Sequence, residues 1–544
     1  MTARLRTYWP LFGEVWRIAL PVIFTFLLQN LVQVVDIFMA GRLGPIEVAA
    51  VGMSNTVRIL IFLGILAVTA GSMALAAQAK GARDPAQLSF VTRQTLSLTV
   101  IMAIILGTVG WFVAEPLLTF LNSGGDPLAV TVGTRYLQIL FLGMLFLIGN
   151  FAINSLMQGA GDTVTPLYLS AFVVVLNIGF NYLFIFGLGP IPAYGVPGIA
   201  LGTIAARFVG AVVGVYILYS GKNVIKILPG TYRPNWPMFR DILSIGIPSG
   251  LQGIVRNGAQ LLVVRIVTST AAGTFGAAAL AIGLQVEAFA FMPGIAISIA
   301  STTLVGQALG AWQTEDARRK GYVAMILAMT IMGITAIPIF IFAPQIVRLF
   351  EPSANPVVLA AGTSYIRINI LIQPVLAIAM VLNGALRGAG DTRPGLIGTL
   401  LGRWLLVVPL AYLLALRLDF GVNGVWWALV AGTTFQAIYI FFRWRSKGWL
   451  EVALHKTEIY RRHLYHLSPT VTEHFLNTVR APVMALDEAT EHVSDTGVSY
   501  HLEEGEEVQV AFEQNGFEVQ EGKQHVAEAP PAPRPNTARA AAHD

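Results

Sequence analysis

The chain of 544 residues contains no cysteine, and only 12% of its residues are charged. Its first 450 residues contain no histidine either. The missing thiols exclude disulfides and thiolate metal sites. The missing histidines leave carboxylates as the groups able to handle protons in that region. All eight histidines fall between His455 and His543 at irregular spacing, which reads as solvated side chains rather than a metal centre. Soluble domains carry about 25% charged residues, so the low charge excludes an ordinary soluble fold.

What the chain has in abundance is apolar sequence, with 55% hydrophobic residues and a mean hydropathy of +0.66. A membrane span needs about 20 mostly apolar residues. Twelve stretches qualify: 14–40, 46–78, 90–114, 132–157, 164–188, 196–219, 240–270, 277–308, 322–344, 358–386, 394–417 and 421–443. The expected fold class is therefore all-α and integral to the membrane. The first stretch is too long for the apolar core of a signal peptide, and no small-residue cleavage site follows; it reads as an uncleaved span.

Charge is distributed unevenly. Residues 1–450 hold 28 Lys+Arg against 14 Asp+Glu, whereas residues 451–544 hold 7 against 16. The basic character belongs to the apolar part and is no argument for nucleic acid. With the N-terminus inside, seventeen Lys and Arg, from Arg4 to Lys447, fall in inner segments. The outer loops hold four: Arg42, Arg135, Arg348 and Arg417. This asymmetry predicts a multi-pass protein of the plasma (inner) membrane with both termini cytoplasmic.

The chain is also duplicated. Gly159-Ala160-Gly161-Asp162-Thr163 returns as Gly388-Ala389-Gly390-Asp391-Thr392, 229 residues later. Gln78-Ala79-Lys80-Gly81-Ala82 matches Gln307-Ala308-Leu309-Gly310-Ala311 at the same step, and two further pairs drift by two or three residues. Six spans per half place the halves in parallel, with a substrate cleft expected between them. The division expected is a first six-helix lobe over 1–219, a cytoplasmic linker over 220–239, a second lobe over 240–450, and an acidic polar tail over 451–544. The linker holds Pro229, Gly230, Pro234 and Pro237 and reads as irregular. The tail ends in Pro- and Ala-rich sequence and reads as disordered, with alternation over Val508–Val519 hinting at a hairpin.

The glycine-rich repeat is not a phosphate cradle, because no strand precedes it and no Lys-Ser/Thr follows. It reads as a helix stop: glycines supply positive φ, Asp and Thr cap the next helix, and Pro166 or Pro394 sits in the first turn. This repeat resembles the multidrug and toxic compound extrusion (MATE) family. So do Val35-Asp36-Ile37-Phe38-Met39-Ala40-Gly41-Arg42-Leu43-Gly44 and Leu304-Val305-Gly306-Gln307-Ala308-Leu309-Gly310-Ala311. The resemblance covers about residues 10–446. It implies a bacterial-type antiporter of twelve helices in two lobes that exports organic, often cationic, compounds against an inward flow of Na+ or H+, with no cofactor.

Ionisable residues inside a membrane are functional by default. Asp36 lies about five residues from the outer end of its span, and Gln29, Gln33 and Asp36 form one polar stripe at helical spacing. Asn177 and Asn181, four apart, share a face of the fifth span. Counting residues places Asp36, Asn181 and Thr203 within one or two turns of common depth. These hard oxygens suit Na+ on Asp36, Asn177 and Asn181, or a proton on the carboxylate. The alternatives are an interfacial acid and interhelical hydrogen-bond glue. Many MATE members have Asp where Asn181 stands, which leaves the ion open. The second half lacks the set: Asn177 maps to Arg403–Leu406, Asn181 to Val407–Leu410, Thr203 near Leu429, and Asp36 near Val263 or Arg265. Glu287 and Arg256, at similar depth, form either a structural ion pair or a second charged site facing the cleft. Some members carry Glu where Arg256 stands. Pro21 and Pro248 occupy matching places and can kink their spans.

The leading function is thus a cation-coupled exporter of small organic molecules, expected to act as a monomer surrounded by lipid. A flippase for lipid-linked intermediates is the alternative; a wide cationic cleft and more than twelve spans would favour it. Without His, Cys or clustered acids in residues 1–450, an enzyme is excluded. Two parallel repeats around one cleft fit alternating access better than a channel.

Overall fold

The computed structural model describes the backbone of residues 2–122, 126–221, 223–351, 355–446, 448–453, 490–494, 497–501, 507–513 and 516–522. It separates into two compact units, Met1–Thr457 and Glu458–Asp544.

The first unit is helical. Its first half comprises α1 (Thr2–Gly41), α2 (Pro45–Gly81), α3 (Pro85–Leu121), α4 (Pro127–Leu142), α5 (Met144–Gly159), α6 (Val164–Phe186) and α7 (Val196–Ser220). Its second half comprises α8 (Trp236–Thr268), α9 (Gly273–Ala290), α10 (Met292–Gly310), α11 (Thr314–Ile341), α12 (Ala343–Phe350), α13 (Pro356–Ile370), α14 (Gln373–Gly388), α15 (Arg393–Leu400), α16 (Val408–Tyr412) and α17 (Gly421–Arg445). Two π-helical segments, Leu401–Val407 and Leu413–Arg417, flank α16 and carry it on as one span with α15. Among the described residues nine helices are long and apolar enough to cross a membrane, or eleven when two bent pairs each count as one. Within that count α9 and α10 stand separately, although only Phe291 divides them. The 37-residue α2 and the 33-residue α8 lie outside it, yet at about 1.5 Å per residue both are long enough to cross. Joining α9 to α10 and adding these two gives twelve spans in two halves of six.

Helix starts follow from short polar residues ahead of proline. Asp84, Asp126, Asn235 and Asn355 each accept a hydrogen bond from a backbone N–H of the helix they precede, with Pro in the first two helical positions. Asp126-Pro127 and Asn355-Pro356 are a further pair 229 apart. The same symmetry appears in the bends: α4 meets α5 at 54° around Gly143, and α13 meets α14 at 53° around Leu371 and Ile372.

The repeated motif is a helix stop in both copies, with Gly161 at φ 91° and Gly390 at φ 79°. Its aspartates have diverged. Asp162 caps α6 by accepting from the backbone N–H of Val164 and Thr165. Asp391 does not cap; it pairs with Arg443 on α17 at 2.7 Å. Neither Thr163 nor Thr392 makes a side-chain cap, so capping by both residues in both copies is corrected to one aspartate in one copy.

At this end of the bundle the halves clasp each other reciprocally. Gln78 donates its side-chain N–H to the carbonyl of Gly388 at 2.9 Å, and Gln307 donates to Gly159 at 3.1 Å. A Cβ on Gly81 would collide with the Gln307 carbonyl, and one on Gly310 with the Gln78 carbonyl, so glycine lets α2 and α10 touch backbone to backbone. A buried apolar core of Ala19, Ile297, Leu304, Met332, Leu382 and Trp444 joins α1 to the helices of the second half. A separate core around Val263, Tyr365, Val407 and Trp426 fills the second half nearer its other end.

Among the described residues of 221–235 the connector has no regular structure, as read from its prolines, but it is pinned to the start of α3. Ser89 accepts from Leu228 N, Arg93 donates to the Leu228 carbonyl at 2.5 Å, and Gln94 exchanges bonds with Arg233 and Asn235. The hydroxyls of Tyr219 and Tyr232 meet there.

In the second unit the structure describes strands β1 (Thr490–Ser494), β2 (Gly497–His501), β3 (Glu507–Glu513) and β4 (Gly516–Gly522) in an antiparallel meander. The β3–β4 pair is the hairpin hinted at by alternation over Val508–Val519. β1 and β2 stand within the tail expected to lack regular structure.

Candidate functional site

Four side chains from three helices meet inside the first half. α6 presents Asn177 and Asn181 one turn apart on the same face. The Asn181 amide donates to Asp36 Oδ1 on α1 at 2.7 Å and to Asn177 Oδ1 at 3.3 Å, while Asn177 donates to Thr203 Oγ1 on α7 at 3.2 Å. The depth count from the sequence thus placed residues that touch. Asp36, Asn177 and Asn181 are 6%, 3% and 0% exposed, which removes the interfacial-acid alternative for Asp36.

Burying a carboxylate is costly unless hydrogen bonds compensate it, and here amide N–H supplies them. Asn181 Oδ1 has no donor facing it and is fully enclosed. A Cβ on Gly202 would strike that oxygen, so only glycine at this position leaves α7 room beside it. A carboxylate, a hydroxyl and an undonated amide oxygen fit a hard monovalent cation. Among the described residues no three His, Cys, Asp or Glu side chains gather as a multi-carboxylate metal site would require.

Beside this network lies a polar cavity of about 20 Å³, room for about one water. Gln29, Asn150, Asn154, Ser170, Asn177, Thr203 and Arg207 line it. Gln29 thus reaches the site, whereas the side chain of Gln33 lies outside the described residues. Arg207 escaped the sequence reading. It stands near the middle of α7, its guanidinium over the Phe151 ring at 5.1 Å and its carbonyl accepting from Asn150. Its signal in the sequence is a lone arginine inside an apolar span.

In the second half Glu287 on α9 accepts a hydrogen bond from the Tyr365 hydroxyl at 2.7 Å. Tyr365 in turn packs edge-on against Trp426 at 4.8 Å. Among the described residues Arg256 and Glu287 form no ion pair, so the structural-pair alternative is corrected. Arg256 lies within electrostatic range of both Glu287 and Arg403. Tyr365 and Arg403 are the partners that sequence reasoning missed.

Comparison with known proteins agrees with this architecture, including its duplication. The MatE family model matches residues 21–183 and again 248–413. The chain belongs to the MatE family. A probable multidrug resistance protein NorM of Thermotoga maritima is 28% identical over 439 residues, covering 80% of this chain and 92% of that one. Another, of Bradyrhizobium diazoefficiens, is 28% identical over 447 residues, covering 80% and 93%. Among solved structures, a MOP-superfamily transporter from Pyrococcus furiosus superposes with a TM-score of 0.75 at 23% identity, covering 82% of this chain and 97% of that one. An outward-facing multidrug resistance MATE family transporter gives 0.74 at 24%, with the same coverage. The MatE chain is therefore a multi-pass membrane protein of twelve helices in two parallel repeats, and its relatives are transporters, not enzymes.

Proposed function

We propose that this MatE protein is a secondary active efflux antiporter that exports organic compounds from the cytoplasm across the inner membrane in exchange for Na+ or H+. The observation that carries the reading is the buried Asp36–Asn181–Asn177–Thr203 network, present in one lobe and absent from its duplicate. If polar residues served only to glue helices together, the duplicate would have equal need of them.

Asn181 N–H holds the Asp36 charge in the structure. An incoming cation replaces that partial positive charge, and Asn181 turns its free oxygen toward the ion. With H+ as the coupling ion, the proton resides on Asp36. Coupling follows because the carboxylate's partners lie on α1, α6 and α7, so satisfying it differently changes how those helices pack beside the polar cavity. Pro21 within α1 is a place for that helix to bend. The positive-inside asymmetry puts the Gln78–Gly388 and Gln307–Gly159 clasp on the cytoplasmic side, so the structure is closed inward. The names of the NorM relatives support multidrug substrates; the twelve spans disfavour the flippase.

The test is transport in proteoliposomes loaded with a fluorescent substrate, with sodium and proton gradients imposed separately. One gradient should drive efflux by the wild type and neither by Asp36→Asn. Normal gradient-driven efflux by that variant would sink the coupling site.

A further inference from the structure

We propose that Arg256 and Arg403 bind the headgroup of a transported amphipathic organic anion, a carboxylate, sulfonate or phosphate ester with an apolar body. The assignment rests on the antiport reading and departs from the organic cations expected from family resemblance.

Arg256 stands on α8 and Arg403 on the π-helical segment Leu401–Val407. Their immediate neighbours are in contact, since Trp404 Nε1 donates to the Val255 carbonyl at 2.8 Å. That contact sets each arginine one position from a point where α8 and the π-helical segment touch. Neither forms a hydrogen bond or ion pair among the described residues, and an ionised side chain inside a membrane span is costly without one. The Arg256 side chain is exposed and that of Arg403 half-buried, so both can be reached by a ligand. The acid in range, Glu287, already accepts from Tyr365, so two cations face one engaged anion.

Two arginines supply planar forks that match carboxylate or phosphate oxygens in pairs. The exposed ring of Trp404 offers a surface for the apolar body. The π-helical turn is an independent pointer, because such turns collect at functional sites. The corresponding span of the first lobe, α6, is an unbroken α-helix, and its Asn177 maps to Arg403–Leu406. The site is therefore a reworking of the second copy rather than a relic of the duplication.

The experiment titrates carboxyfluorescein against the full chain in nanodiscs of zwitterionic lipid, read by anisotropy. Arg256→Gln and Arg403→Gln should each weaken binding by at least about tenfold, the loss of one charged hydrogen bond. Arg403→Lys should lose less, and Arg403→Glu should bind ethidium in place of the anionic dye, a gain that misfolding does not produce. Gradient-driven efflux by Asp36→Asn reads the coupling site, while dye binding by the arginine variants reads the anion site, so the two failures are distinguished. Weaker dye binding by the wild type in nanodiscs of anionic phospholipid supports the site and makes a lipid phosphate its occupant; unchanged binding supports a free organic anion. Wild-type affinity in both glutamine variants overturns the proposal.

Discussion

The two lobes share a backbone plan and differ in what they place inside it. Both bend their fourth span by nearly the same angle, 54° and 53°, and both end it in a glycine of positive φ. Both send a glutamine across to the other's motif. Yet the first lobe buries a carboxylate among amides, with Arg207 at the cavity beside it, whereas the second binds its glutamate to a tyrosine. Duplication preserved what sets helix direction and close approach. It left free the side chains facing inward, and the two lobes set different hydrogen-bonding partners around their acids.

The largest effect expected is on the first lobe alone. Asp36→Asn should abolish gradient-driven efflux with membrane insertion and thermal unfolding unchanged, whereas Glu287→Gln should leave coupling to the gradient in place. Equal loss of coupling in both would break the contrast. The shared motif offers the next test. Asp391→Ala strands Arg443 and should cost about 3 kcal/mol, the upper range for a charged hydrogen bond. Asp162→Ala removes a helix cap and should cost about 1 kcal/mol. Unfolding in detergent measures both, and equal losses would show that the two aspartates still do the same work. Where the halves remain alike, effects should match. Gln78→Ala and Gln307→Ala each remove one interlobe hydrogen bond, about 1 kcal/mol. Because the natural chain has no cysteine, pairs introduced across the clasp report its opening by crosslinking.

The smallest effect lies in the linker, which has no counterpart. Burial, then the hydrogen bond to Tyr219, pushes the Tyr232 pKa up to about 12, against a small lowering by Arg93. A raised pKa stabilises the neutral phenol, so its contribution is whole below pH 10 and is lost as pH climbs from 10 through about 12. In an ultraviolet titration Tyr219→Phe should bring the late Tyr232 tyrosinate down.

Much of the fold was legible because helices obey simple counts. Apolar length marked the spans, Asp-Pro and Asn-Pro marked starts, and a rise of about 1.5 Å per residue put Asp36, Asn181 and Thr203 at one depth. The four-residue spacing of Asn177 and Asn181 fixed rotation as well. What stayed hidden depended on neighbours from other spans. Glu287 finds Tyr365 across 78 residues, and nothing in either residue names the other. The π-helical turn at Leu401–Val407 shifts hydrogen-bond register without a characteristic residue type. Arg207 and Arg403 were visible as letters, but their meaning required knowing which spans surround them. In the tail, alternation marked the second hairpin, while β1 and β2 carried no comparable pattern.

The crossed glutamines have a consequence for how the transporter switches. Each lobe carries one handle and one socket, so the contact between them is a lock with two keys cut from the same pattern. Undoing one latch gains little freedom, because the second still holds the lobes at hydrogen-bond distance. If the proposed transport cycle parts the lobes at this end, the two latches must let go together.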